Sequence, residues 1–490
     1  MLTHIKNISK DTIIYGIGSS LSSLVTFALI PLYGHFFSPS EYGYLTLIVT
    51  FQTILEITIL FGFNTGFFRY YIMADTDDQK KTVYSTSYVL VLLMGSIVFL
   101  WVFIFDKQLS DFLLGNEGQN KLVYFATLTA LLNSFMTIGF SFMRSERKTV
   151  LFGTFQLAKV ILIGSLNILF VAVYAFKYEG VIWSNLISSF CMAIIFFLFF
   201  NDKFNFKFSY HTAKKILLFS APIFAGNITY YSLGFADRFF LNSYTTKEEL
   251  GIYSLGVKIA SIINAGLVAP FSTAVVPYAL SLAKESTFES IYQNIIKYFV
   301  SVLFSVSILL MVFAKEIISF TSSSDYSMAW MIVGPIIISN IFYALFYNFT
   351  IVLDIKEKTI YGLFIIGVSS LISLIMNFIL IKYYGIQGAI LTNIIANFTL
   401  LLISYFICQR VMKINYPVHS FLKLIVIYLV CTSTVYWFNS TCLFSIFLNY
   451  SFKILFSVIV IPFSLFASEI IGKKEIDFVL NYIKGNNKSK

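Results

Sequence analysis

Five charged side chains lie well inside the long apolar runs of this chain: Glu56, Lys159, Asp237, Arg238 and Lys258. A charge near the centre of a bilayer costs at least about 2.5–3.5 kcal/mol on insertion scales, so it faces a hydrated cavity, a partner or a substrate. Arg69 stands just past the end of one apolar run. Lys159, Arg238, Lys258 and Arg69, set against Glu56 and Asp237, bias a path through the membrane towards positive charge, which selects an anion. The planar fork of Arg238 suits a pyrophosphate or carboxylate.

Each charge also has a plainer reading. Glu56 lies 13 residues from both Gly43 and Arg69, about 20 Å along a helix in each direction, hence mid-bilayer. It is either a proton or sodium relay or a neutral carboxyl bonded to a neighbouring helix. Asp237, a second ion-coupling candidate, and Arg238 point about 100° apart on a helix and need not pair with each other; the alternative is an interhelical ion pair. Lys258 is two turns inside its span and within reach of the interface by snorkelling, whereas Lys159 is too deep for that and reads as cavity lining. Pro31, Pro222, Pro270 and Pro277 interrupt three spans and are the expected gating kinks.

The elements that must position these residues are helices in lipid. The chain has 490 residues, is 58% hydrophobic and only 12% charged, about half the charge of a soluble protein. Fourteen candidate spans follow: 12–36, 42–66, 84–105, 122–142, 150–175, 180–200, 214–242, 251–276, 298–314, 328–352, 360–381, 387–408, 421–438 and 451–471. The first is too long for a signal-peptide core and reads as a retained span. Of the 34 Lys and Arg residues, 24 fall on alternate loops beginning at the N-terminus. Seven fall on the opposite loops, among them Lys107, Lys315 and Lys453, and three lie inside spans. Both termini are therefore expected on the cytoplasmic side. The net charge of +10 sits in these short loops, which argues for membrane orientation and against nucleic-acid binding.

Cys191, Cys408, Cys431 and Cys442 lack metal-type spacing and read as small buried hydrophobes, and the four histidines form no cluster. No metal site or cofactor is expected. The longest loop on the non-cytoplasmic side, 106–121, carries Asp106, Asp111 and Glu117 but no histidine, which argues against an enzyme such as a glycan polymerase or lipid-linked glycosyltransferase. The tail Lys473–Lys490 reads either as an interfacial amphipathic helix or as a short fraying one.

The two halves echo each other. Glu41-Tyr42-Gly43 and Glu249-Leu250-Gly251 stand 208 positions apart, as do Gly180-Val181-Ile182-Trp183-Ser184-Asn185 and Gly388-Ala389-Ile390-Leu391-Thr392-Asn393. The repeat divides the chain into six-helix lobes at 1–206 and 207–412, two further spans within 413–472 and a tail at 473–490. An even number of spans separates the copies, so the lobes are expected to be related by a pseudo-two-fold axis along the membrane normal, with a site at their interface. The five intramembrane charges do not repeat: the same offset takes Asp237 to Leu29, Lys258 to Thr50 and Glu56 to Asn264.

The opening stretch IKNISKDTIIYGIGSSLSSLVTFALIPLYGHFFSPSEYGYLTL and the hairpin FADRFFLNSYTTKEELGIYSLGVKIA resemble bacterial polysaccharide-repeat flippases. Those belong to the multidrug/oligosaccharidyl-lipid/polysaccharide exporter superfamily. The resemblance implies a V-shaped cationic cavity between two six-helix lobes and alternating access. It also implies a substrate, an oligosaccharide on undecaprenyl pyrophosphate, moved to the outer leaflet of the bacterial inner membrane for O-antigen, capsule or a related polymer. Coupling to Na+ or H+ comes with it, as does work alongside a polysaccharide polymerase and glycosyltransferases. A drug/cation antiporter of the same superfamily is the alternative, disfavoured by the basic balance of the intramembrane charges.

Overall fold

The computed structural model describes residues 27–115, 120–201, 205, 207–283, 285, 287–441 and 446–467. The tail 473–490, Cys442, Glu117 and the start of the first expected span lie outside the described residues. Regular structure among the described residues is helical. A bilayer forces this choice, because a helix satisfies its own backbone hydrogen bonds where water cannot.

The helices are α1 (Ile30–Phe36), α2 (Pro39–Leu60), α3 (Phe63–Ile72), α4 (Asp77–Ile104), α5 (Asp106–Leu114), α6 (Asn120–Ser145), α7 (Thr149–Asn167), α8 (Lys177–Phe200) and α9 (Tyr210–Tyr244). They continue as α10 (Lys247–Ala260), α11 (Ala269–Leu282), α12 (Phe288–Val312), α13 (Ala314–Thr321), α14 (Trp330–Ile355), α15 (Ile360–Met376), α16 (Lys382–Val411), α17 (Val418–Thr441) and α18 (Ile446–Ala467). Among the described residues twelve stretches are long and apolar enough to cross a membrane. They match the expected spans from 42–66 onward. The stretch Ile360–Val411 runs 52 residues, more than two crossings need, and it contains the expected spans 360–381 and 387–408. Gly385 breaks it at φ 52°, ψ −127°, a conformation suited to glycine.

Two expectations change in detail. The span 42–66 is two helices, because Phe61 and Gly62 both take positive φ, at 45° and 77°. Glu56 therefore sits about one turn before a break, not in the middle of an unbroken helix. The loop 106–121 contains the helix α5. Outside the spans, the Tyr124 hydroxyl donates to Asp106 at 2.7 Å and holds its carboxyl below the usual range.

The chain forms two compact units. The first comprises 1–255, 321–326 and 363–396. Within it α6 packs against α2, α4 and α8. The sequence repeat reappears here as geometry. Ser38 caps α2 in a reciprocal box with Glu41, and 208 positions later Thr246 and Glu249 exchange the same pair of bonds at 3.1 Å each. The box satisfies two orphan helix donors at each start. Gly43 and Gly251 let the two starts cross closely: a Cβ on Gly43 would lie 2.2 Å from the Lys247 carbonyl oxygen, and one on Gly251 would lie 1.8 Å from that of Pro39. Wider π-helical turns recur at Ile168–Val173 and Asn377–Ile381, beside the buried Asn167 and Asn377.

The second unit comprises 256–320, 327–362 and 397–490. Its α14 is buried over most of its length and contains Pro335, which supplies no N–H to the Met331 carbonyl. The Tyr436 hydroxyl of α17 donates to that carbonyl, and Tyr428 donates to the Gly334 carbonyl at 3.1 Å. Tyr436 thus docks α17 on the oxygen that the proline leaves without its helical donor, and Tyr428 adds a second bond one turn away. Lys453, counted above with the loop residues, is instead buried on α18 and pairs with Glu316 of α13 at 2.5 Å.

The glycine crossing yields a test. Gly251→Val should cost about 1–3 kcal/mol, since a helix start must shift to admit the side chain. Gly367→Ala, where a Cβ meets nothing within 4 Å, should be neutral or slightly stabilising. Thermal unfolding of the detergent-purified variants separates the two.

Candidate functional site

The first unit brings Glu56 and Lys159 together through a residue that sequence reasoning passed over, Asn133 of α6. The Asn133 side-chain amide donates to Glu56 Oε2 at 3.2 Å, and its carbonyl oxygen accepts from Lys159 Nζ at 3.0 Å. Ser189 of α8 donates to the same oxygen at 2.9 Å. Four helices, α2, α6, α7 and α8, therefore each place one polar side chain at a single point. Ser134 donates to the Glu56 backbone oxygen at 3.4 Å and ties α2 to α6 at that level. Glu56, Asn133 and Lys159 are half-buried and Ser189 is buried. The Asn133 contact is the single hydrogen bond of the Lys159 ammonium among the described residues, so a group with three donors retains capacity for another acceptor.

Asp237 and Arg238 do pair. Asp237 Oδ1 accepts from the Arg238 backbone N–H at 2.9 Å and from Nη1 at 3.0 Å. Its Oδ2 accepts from the Tyr253 hydroxyl of α10 and from Asn393 of α16 at 3.1 Å. Asn393 also donates to the Tyr253 oxygen at 2.9 Å. Arg238 donates further to the Gly234 carbonyl at 2.8 Å and lies over the Phe235 ring. The side chains of this pair are only 11% and 6% exposed. Four donors on one carboxylate satisfy a buried charge far better than its neighbour alone would.

The other predicted residues lie on α1, α3, α9, α10 and α11. Arg69 is exposed on α3, with its guanidinium 4.5 Å from the centre of the Phe219 ring. Lys258 is half-buried on α10, in the portion that belongs to the second unit. Pro31 opens α1 and Pro222 lies inside the 35-residue α9. Pro277 lies inside α11, and Pro270 opens it just after a π-helical turn at Asn264–Val268. That turn contains Gly266, whose carbonyl the Pro270 ring would otherwise crowd. The residues missed were Asn133, Ser189 and Tyr253. Asn393, by contrast, closes the repeated G-x-I-x-[ST]-N motif, so its signal was present.

A chain whose described residues form helices of span length, with charged clusters held inside them, is a multi-pass membrane protein. Its fold is similar to that of the solved "Lipid II flippase MurJ, inward closed conformation", with a TM-score of 0.75 at 16% identity over 92% of this chain and 98% of that one. It is also similar to an inward-facing multidrug resistance MATE family transporter of the MOP superfamily, with a TM-score of 0.65 at 14% identity over 80% of this chain and 96% of that one. These likenesses establish the fold, a helical membrane architecture of the two-bundle kind. In sequence, "Lsg locus putative protein 1" of Haemophilus influenzae is 22% identical over 284 residues, which is 56% of this chain and 67% of the relative. The pattern described as polysaccharide biosynthesis protein matches residues 34–330, and the chain belongs to that family.

If the Asp237–Arg238 pair serves to hold α9, α10 and α16 together, removing one charge should be far worse than removing both. Asp237→Leu should cost about 3–5 kcal/mol, and adding Arg238→Leu should recover most of it. Thermal unfolding measures both, and a double variant no more stable than the single one would show that the pair does more than balance charge.

Proposed function

We propose that this protein is a flippase that carries oligosaccharide repeat units on undecaprenyl pyrophosphate from the cytoplasmic to the outer leaflet of a bacterial inner membrane. Both termini then face the cytoplasm, and alternating access is provided by lobes at 1–206 and 207–412, with the spans of 413–472 added. The observation that carries the reading is Lys159: a half-buried ammonium within a span, with donors to spare, in a chain of the polysaccharide biosynthesis family. It is the group best suited to take a pyrophosphate oxygen.

In this reading the other cations have lesser parts. Arg238 is held by Asp237 and reaches the anion only as part of that pair, Lys258 contributes from α10, and Arg69 lies at the cytoplasmic mouth. Glu56 is the better coupling group for H+ or Na+, because Asp237 already accepts four hydrogen bonds. The kinks at Pro31, Pro222, Pro270 and Pro277 give the moving helices their hinges. The lipid tail stays in the bilayer while the sugars cross in the hydrated cavity, and a polymerase and glycosyltransferases work on either side of this step.

The test is leaflet transfer of a fluorescent undecaprenyl-pyrophosphate oligosaccharide in proteoliposomes. Lys159→Ala should slow transfer about 10–100-fold, the rate equivalent of one charge-assisted hydrogen bond of about 1.5–3 kcal/mol. Glu56→Gln should remove the response to an imposed ion gradient. Extrusion of cationic dyes without lipid transfer would assign the chain to drug antiport instead.

A further inference from the structure

The link between Glu56 and Lys159 is an amide, and its orientation is set by the partners. A lysine ammonium only donates and a carboxylate only accepts, so Asn133 must turn its oxygen to Lys159 and its NH2 to Glu56. The reverse orientation would set donor against donor and oxygen against oxygen. Ser189 adds a second donor to the Asn133 oxygen from a buried position. Asn133 itself stands on α6, the helix that packs against α2, α4, α7 and α8 within the first unit. The bridge is therefore held by the part of the unit with the most neighbours to keep it in place.

The surroundings of Glu56 offer few other charges. Among the described residues, the Lys159 ammonium on α7 acts on Glu56, and the Glu56 charge in turn acts on Tyr231 of α9. From α6 and α8 come the non-titrating Asn133 and Ser189. The α4 helix, which also packs on α2, has no ionisable side chain from Val89 to Ile104.

We propose that Asn133 is the positioning residue that links the charge on Glu56 to occupancy of Lys159 by an anion. This rests on the reading of Lys159 as the anion site given above. With the site empty, the ammonium polarises the amide, and the amide presents its N–H to an ionised Glu56. An anion on Lys159 draws the ammonium away and places negative charge near the carboxylate. The bridge then weakens on both sides, and Glu56 takes one proton from solution. Release of the anion restores the bridge and the proton leaves. Linkage is reciprocal, so a proton on Glu56 favours anion binding by the same factor. The amide is thereby a coupling element between cargo and ion, with no covalent step.

Two measurements test this. The first uses the substrate-free protein: infrared pH titration of the carboxyl band that disappears in Glu56→Gln. Asn133→Leu, which removes the hydrogen bond to the carboxylate, and Lys159→Ala, which removes the nearby opposite charge, should each raise the midpoint by about one pH unit or more. The double variant should move it no further, because both substitutions cut one path. An unmoved midpoint in Asn133→Leu, or additive displacements, would overturn the proposal. Asn133→Ala serves in the same comparison if the leucine variant does not fold.

The second is calorimetric titration with a short-chain polyprenyl pyrophosphate in buffers of different ionisation enthalpy. The unsubstituted protein should take up close to one proton per lipid bound, and Asn133→Leu less than half of that. Equal uptake in both would overturn the link. If the unsubstituted protein binds no polyprenyl pyrophosphate while the infrared displacements are non-additive, the substrate reading falls and the bridge stands.

Discussion

A charge that enters a bilayer must be met by partners on other helices, and the arrangement of this protein follows from meeting that demand. Backbone groups are satisfied within each helix; side-chain charges are not, so they fix which helices must touch and at what depth. Asp237 draws donors from α9, α10 and α16. Asn133 gathers Glu56, Lys159 and Ser189 from three further helices. In the second unit, Lys453 and Glu316 tie α18 to α13 in the same way. Each cluster positions helices, and that shared duty is why the charges cannot be sorted by residue type alone into those that bind cargo and those that hold structure.

The three clusters differ in how completely they are satisfied, and the proposed anion site rests on that difference. Asp237 has four donors, enough to keep its charge buried without a ligand. Lys159 has one acceptor and Glu56 one side-chain donor, so their cluster has capacity in reserve. A site that must bind, release and change protonation needs that slack, because a fully satisfied network gains nothing from a ligand. The break at Phe61–Gly62, about one turn beyond Glu56, places the same cluster next to a point where the helix direction changes.

The duplicated scaffold is shaped by packing. Capping boxes recur at Ser38–Glu41 and Thr246–Glu249, and the paired glycines at 43 and 251 bring two backbones to near contact. Dispersion at such a crossing is a main source of helix association where lipid removes any hydrophobic gain. The same offset carries none of the five intramembrane charges from one copy to the other, so the repeat accounts for the frame and not for those charges.

From its residues alone the chain determined its solvent, its spans and its duplicated frame. Apolar runs of span length, the Lys and Arg distribution and the repeated glycine motifs are local or periodic properties, and lipid leaves a helix as the only cheap answer to them. The intramembrane charges could also be named, because any charge in such a run stands out. Their partners could not. Asn133 is one asparagine among many, and nothing in the order of residues 56, 133, 159 and 189 announces that four helices bring them to one point. Nor does sequence tell that Asp237 is fully bonded while Lys159 is not, or that Lys453 is buried. Those are facts about distances between segments far apart in the chain. They are decided only when helices pack, since the depth, rotation and kink of each helix set which polar groups meet.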